Sequence, residues 1–434
     1  MIQKFSEEKV KYIRTELVDR FTRYAAIGTQ SKEDVDKIPS TPEQWELAKL
    51  LEKELREIGL KDVKVSDKCY VYATIPATGG KEFSDIPPLG FIAHLDTSPA
   101  VPGKDVKPIV HEYRGGDIIL PGDSGLKITL DKNPRLNDAI GSQVITSDGT
   151  TLLGADDKAG VASIMTMVRF FINNSDQKHG PVKICFTPDE EVGRGHEGFD
   201  VEEWGAFCAF TVDGEREGEL NDETFNASSA TVTFRGNNVH PGYAKGIMVN
   251  SLYAACRFAS LIQNHPRPEI TEAREGYIHP YTFSGCEELT TIKILLRDFE
   301  KVGNEKKKVI IQEIANKVKA EYPDVAIDVA FNDSYQNMNE VLKSYPFLIE
   351  FAEEAMKFAG VHPIKLPIRG GTDGARLSFK GLPCPNLFCG SENVHGKNEW
   401  VSVKTMEKAV ITMINLVHIW TEKREKVLEM KRSR

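Results

Sequence analysis

Nowhere in the 434 residues do roughly 18 apolar side chains run consecutively, the length a membrane-spanning helix needs. Cysteine is sparse. Its seven residues, Cys69, Cys185, Cys208, Cys256, Cys286, Cys384 and Cys389, are scattered without a CxxC pair. An odd, dispersed set argues against a disulfide framework and against a thiolate zinc site. Most sit in apolar surroundings, as buried free thiols do. Long basic runs are also missing, and 55 Lys and Arg against 64 Asp and Glu leave a net charge of −9. That charge argues against non-specific binding to nucleic acid or to an anionic membrane. The first residues, MIQKFSEEKVKYIRTEL, lack the apolar core of a signal peptide and read as a charged amphipathic helix. The expectation is a cytoplasmic protein. No internal repeat or low-complexity tract stands out.

What is present is enough chain for two domains, since one hydrophobic core stops growing at about 250–300 residues. Helices are expected over 5–27 and from the start signal Ser40-Thr41-Pro42-Glu43 to about Ile58, where Gly59 ends the second. The continuous apolar run 89–93 reads as a strand buried on both faces, and 182–187 and 206–212 read as two more buried-type strands. The first runs into His94-Leu95-Asp96, the second into Pro188-Asp189-Glu190-Glu191, the third into Asp213-Gly214. Ligands of open α/β sheets bind beyond the carboxyl ends of the strands, so these strand ends are the candidate site. Between them, Leu152–Gly160 (LLGADDKAG) places Asp156 and Asp157 ahead of a helix expected from Lys158 to Asn173. The plainer explanation of that pair is an acidic first helical turn. Residues 98–148, rich in Gly, Pro and Asp, read as a long surface excursion of the kind that often serves function or acts as a lid.

From about Phe225 the texture becomes β-α-β-β-α-β, the ferredoxin-like order. Strands are expected at 229–235, 277–284, 289–298 and 325–331, with helices at 247–264 and 299–320. The α/β texture then resumes with a helix at 346–359, strands at 364–368 and 387–389, and a last helix over about 402–424. The fold class is therefore α/β: a mixed-sheet catalytic domain, residues 1–224 and 337–434, with an inserted ferredoxin-like lid domain, residues 225–336.

His94, Asp96, Asp156, Asp157, Glu190, Glu191, Asp213 and His395 form a nitrogen and oxygen donor set without thiolate. Zn²⁺, Mn²⁺ or Co²⁺ suits it better than Mg²⁺. The acids are too many for one ion. Two ions about 3.5–4 Å apart, bridged by one carboxylate, would use them. His94 and Asp96 point to the same side of a strand, so Asp96 can orient the imidazole. Of Glu190 and Glu191, one can face a metal while the other serves the substrate as a base. Spacing does not choose between Asp156 and Asp157.

HLDT (94–97), LLGADDKAG (152–160), TPDEEVG (187–193), TVDG (211–214), NNVHPG (237–242), PIRGGTDGA (367–375) and NVHGKNE (393–399) resemble the peptidase T family. These are tripeptide aminopeptidases of the di-zinc aminoacylase and carboxypeptidase superfamily, and the resemblance spans nearly the whole chain. It implies that His94 and Asp213 bind one zinc, that Glu191 and His395 bind the other, and that Asp156 bridges them. It makes Asp96 the support of the His94 side and Glu190 the general base and acid. His240, on the inserted domain, would stabilise the oxyanion. Arg369 and Asn238 would hold the peptide substrate. A cis peptide after Asp156 and a homodimer formed through the inserted domain, with strand 229–235 supplying an edge, are further implications. Ser391, Glu392 and Val394 depart from the family's glycine and aromatic pattern around His395, which bears on the substrate pocket.

Three rivals remain at this level. A dipeptidase, carboxypeptidase or N-acyl-amino-acid amidohydrolase would use the same centre. A non-catalytic binding protein on this fold should have lost a ligand or the base, and every position is filled. A phosphate loop at Gly370-Gly371-Thr372-Asp373-Gly374 lacks the Lys-Ser/Thr of a P-loop.

Overall fold

The computed structural model describes residues 5–123 and 125–433. Two compact units divide them. One takes the chain through Asp222, Val341–Leu366 and the residues from Thr372 on; the other takes Glu223–Glu340 and Pro367–Gly371. The small segment joins the second unit because Ile368 pairs with Thr224 and its N–H donates to the Glu223 carbonyl at 2.9 Å. Arg369 thus leaves the stretch 337–434, where the sequence put it, for the second unit.

The first unit is built on an eight-stranded mixed sheet in the order Val63–Val65, Val71–Ile75, Val182–Thr187, Leu89–His94, Cys208–Gly214, Asn386–Phe388, Glu219–Asn221, Ile364–Lys365. Leu89–His94 is parallel to both its neighbours, and Asn386–Phe388 is parallel to Cys208–Gly214. All six residues of Leu89–His94 are buried, which is why the run is apolar without alternation. His94 is in register with Thr187, so the two chain segments beyond these residues leave the sheet side by side.

The helix behind this edge is Ala155–Asn173, buried without a break from Asp157 to Val168. A helix apolar on all sides belongs inside the protein. Asp156 and Asp157 have non-helical backbone angles, and regular helix begins at Lys158 as expected. The Asp156–Asp157 peptide is cis, as is Ile38–Pro39. Gly160 lets the helix lie on the strand that carries Asp213: a Cβ there would come within 2.0 Å of the Val212 carbonyl oxygen.

Two local expectations give way to tertiary demands. Ser40 does not cap the second helix, which runs Gln44–Ile58 without a side-chain cap. Instead the Ser40 N–H and hydroxyl and the Gln44 amide donate to buried Asp189, at 2.7, 2.5 and 2.7 Å. The excursion 98–148 is more ordered than its composition suggests. Ile109–Glu112 and Gln143–Thr146 pair with each other, and the latter also pairs with Trp400–Ser402. Tyr113, Ile118, Leu120, Leu136, Val144 and Trp400 share a satellite core there.

The second unit holds Asn226–Arg235, Ser251–Ile262, Tyr277–Gly285, Leu289–Asp298, Lys301–Glu321 and Ala326–Tyr335. Its antiparallel sheet has the order Tyr277–Gly285, Leu289–Asp298, Asn226–Arg235, Ala326–Tyr335, which is the ferredoxin-like arrangement. Val232, Phe234, Phe258, Ile292, Ile294 and Val318 form its core. Strand 229–235 supplies no edge, because Asn226–Arg235 is paired on both sides. The edges are Tyr277–Gly285 and Ala326–Tyr335. Among the described residues no helix is long and apolar enough to cross a membrane.

Candidate metal centre

The parallel strands bring their carboxyl ends to one place. His94 ends its strand with its ring 3 % exposed. Its Nδ1–H donates to the Asp96 carbonyl at 2.9 Å. A carbonyl can only accept, so Nδ1 carries a proton and Nε2 is the nitrogen that would face a metal. That Nε2 lies 2.8 Å from Asp156 Oδ1 and 3.6 Å from Asp213 Oδ1. From the other side, His395 Nε2 lies 3.2 Å from Asp156 Oδ2 and 2.9 Å from Glu191 Oε2. One carboxylate, Asp156, therefore sits between two imidazoles, one oxygen toward each.

Asp96 is fully buried; its Oδ1 lies 3.5 Å from His94 Nδ1, and the carboxylate also works on the backbone. Its two oxygens accept the Glu190 N–H at 2.9 Å and the Glu191 N–H at 3.1 Å, which fixes the turn carrying both glutamates. Asp157 faces the scaffold. Its Oδ2 accepts the His94 N–H and its Oδ1 the Gly160 N–H, both at 3.1 Å. Two triads have donor atoms all within 4.8 Å of one another: His94, Asp157, Asp213 and His94, Asp156, Glu191. Asp157 is the weaker donor of the five, since each of its oxygens already takes a backbone amide.

The electrostatics are those of acids crowded out of water. Burial pushes Asp213 up to about 7, with the Asp156 charge adding to it. Burial and Asp156 push Glu191 up to about 8. Burial also lifts Glu190 and Asp157 well above the usual carboxylate range. Burial would raise Asp156 too, but hydrogen bonds from His395 and His94 overcome it and hold its carboxyl well below that range. His395 is driven up to about 11 by Asp156 and Glu191. Such a set is balanced by protons or by cations. The residues fit divalent metal: besides the mixed imidazole and carboxylate donors, Glu191 Oε1 is buried with no hydrogen-bond partner. A cleft of about 500 Å³ opens beside Glu191 and His395, bordered by Lys32, Glu33 and Ser98–Ala100.

Three expected site residues lie on the second unit. His240 is exposed, and its Nδ1 accepts the Gly242 N–H at 3.1 Å. Asn238 is exposed as well. The Arg369 guanidinium donates to the carbonyls of Ala273 and Glu275, at 2.8 and 2.9 Å, and lies over the rings of Phe225 and Tyr277. Sequence reasoning gave no task to Asp373 or Glu399. Both are buried in the first unit, and both stand inside motifs already singled out, 367–375 and 393–399. Asp373 accepts the Thr187 hydroxyl at 2.7 Å, and its charge reaches Glu190.

Parallel strand ends carrying His94, Glu191 and Asp213, joined at one point by Asp156 from a helix start and His395 from a hairpin loop, in a chain with an inserted α+β unit, define a metal-dependent hydrolase. The sequence pattern of peptidase family M20/M25/M40 matches residues 148–418. Peptidase T of Clostridium perfringens is 48% identical over 93% of this chain and 99% of that protein. Peptidase T of Geobacillus kaustophilus is 44% identical over 95% and 100%. Among solved structures, aminopeptidase PepT from Bacillus cereus superposes with a TM-score of 0.72 at 22% identity, covering 94% of this chain and 98% of that one. A dinuclear metal-binding M20 peptidase from Bacillus subtilis gives 0.65 at 16% identity, covering 95% and 99%. The chain belongs to peptidase family M20/M25/M40. It is a metallo-aminopeptidase.

Proposed function

We propose that the enzyme releases the N-terminal residue of tripeptides. It would use two divalent ions, zinc foremost, with manganese or cobalt able to replace it. His94 and Asp213 would hold one ion and Glu191 and His395 the other, with Asp156 shared. The observation that carries this reading is the Asp156 carboxylate, Oδ1 at 2.8 Å from one imidazole and Oδ2 at 3.2 Å from the other. When bound, the ions supply an acidified water and a Lewis acid for the scissile carbonyl.

The remaining work falls to side chains. Glu190, its backbone pinned by Asp96, takes the proton of the attacking water and returns it to the leaving amine. Burial raises its proton affinity, as a group that must both accept and donate near neutrality requires. The family resemblance would give His240 the task of offering a donor to the oxyanion. The same resemblance would have Asn238 and Arg369 hold the peptide. A cytoplasmic setting accords with seven scattered cysteines, five of them buried.

Di-, tri- and tetrapeptides with free and blocked N-termini, incubated with and without chelator, test the reading. Tripeptides should lose only their first residue, chelator should stop turnover, and zinc should restore it. Release of a C-terminal residue, or cleavage of blocked substrates, would point to a carboxypeptidase or amidohydrolase instead. A homodimer through the second unit belongs to the same reading, supported by exposed Tyr281, Phe283 and Phe331 on its edge strands. Light scattering should then give about twice the 48.4 kDa chain mass, and a monomer would remove this part.

A further inference from the structure

Glu399 is 1 % exposed and closes the motif 393–399, four residues after His395. Buried carboxylates are rare unless something holds them. Here Oε2 accepts the N–H groups of Leu153 and Gly154, both at 2.7 Å, and Oε1 accepts the Asp156 N–H at 3.1 Å. This is not an ordinary helix cap. Regular helix begins at Lys158, so all three donors belong to the irregular segment ahead of it. Backbone amides with no partner in the helix need an acceptor when buried, and a carboxylate is the strongest one available.

The segment that supplies Glu399 also supplies His395. Ser391–Glu392 and Trp400–Ser402 pair antiparallel, so 393–399 is the loop of a hairpin, with His395 within it and Glu399 at its base. Trp400 and Val401 are in register with Thr146 and Ile145, which ties that base to the small sheet. One loop therefore grips one residue twice: His395 touches the Asp156 carboxylate, and Glu399 holds the Asp156 amide. Resting on the metal-ligand reading above, we propose that Glu399 is a positioning residue: it sets the orientation of Asp156 so that one carboxylate serves both metal positions.

Glutamine at 399 keeps the shape, but turns an N–H group toward a cluster of N–H donors. Aspartate keeps the charge with a shorter reach. The test uses the full chain, zinc-loaded, in the forms wild type, Glu399→Gln, Glu399→Asp, Asp156→Asn and Glu54→Gln. Glu54, buried against Arg20 between the first two helices, reports general destabilisation. Zinc retention is read by titration with a competing chelator, alongside melting temperature, kcat and KM for a tripeptide. Glu399→Gln should weaken retention of at least one zinc by ~10–100-fold, the usual effect of removing a partner that orients a ligand. It should lower kcat with KM within about twofold, and Glu399→Asp should recover part of both. Glu54→Gln should lose melting temperature while keeping both metals. The proposal is overturned if Glu399→Gln retains zinc as wild type does while Asp156→Asn loses it. It is equally overturned if the Glu399 variants lose metal only in step with melting temperature. Wild-type zinc retention in Asp156→Asn would instead sink the ligand reading beneath it.

Discussion

Glu190→Ala is expected to lower kcat by ~10²–10⁴-fold, the span over which a positioned general base contributes. Its metal content should stay at the wild-type level. The expectation comes from the division of labour between adjacent glutamates. Glu191 Oε2 is 2.9 Å from His395 Nε2, inside the donor cluster, and Glu191 belongs to a triad able to hold an ion. Glu190 belongs to neither triad. Both backbone amides are held by Asp96, so removing the Glu190 side chain leaves the turn in place. Elemental analysis beside steady-state kinetics reads both halves. Turnover near the wild-type rate would remove Glu190 as the base, and loss of an ion would make it a ligand instead. Glu191→Ala gives the contrast, because there the metal should go and activity should go with it.

The same turn illustrates what could be read from residue order. A strand buried on both faces is mostly apolar along its length, so 89–93, 182–187 (apolar but for Lys183 and Thr187) and 206–212 stand out as runs without alternation. The polar residues at the C-terminal end of each run were thereby candidates for the sheet edge. The inserted unit was equally readable, because its strands alternate: Asn226–Arg235 buries every second residue from Ser228 on. Sheet order was not readable. Nothing local tells Asn226–Arg235 that it will be flanked on both sides, and the expected edge proved to be interior.

Residues whose partners lie far along the chain were the hardest to read. Ser40 has the features of a helix cap, yet it serves Asp189, 149 positions away. Glu399 looks like any acid at a loop's end, and its three donors lie more than 240 positions earlier. Residues 98–148 form short pairs whose third partner is 400–402. Neighbouring Asp156 and Asp157 are chemically identical in sequence. Only the turn of the backbone between them sends one carboxylate to the imidazoles and the other to the amides of His94 and Gly160.

That difference gives the largest expected effect. Asp156→Asn should leave the protein with fewer than two bound ions and with no measurable tripeptide hydrolysis. An asparagine amide has one oxygen to offer where the carboxylate offers two, and its NH₂ would meet one of the imidazole nitrogens. It also removes the charge that keeps His94 and His395 opposed across a single group. Asp157→Asn should behave otherwise. There each oxygen accepts one amide, so the loss is one buried hydrogen bond, about 1–3 kcal/mol of stability. The two variants, compared by zinc content and melting temperature, separate a ligand from a scaffold. Metal loss should dominate at 156, and thermal destabilisation with both ions retained should dominate at 157. The opposite pattern would exchange the roles of the two aspartates and place the shared carboxylate one residue later in the chain.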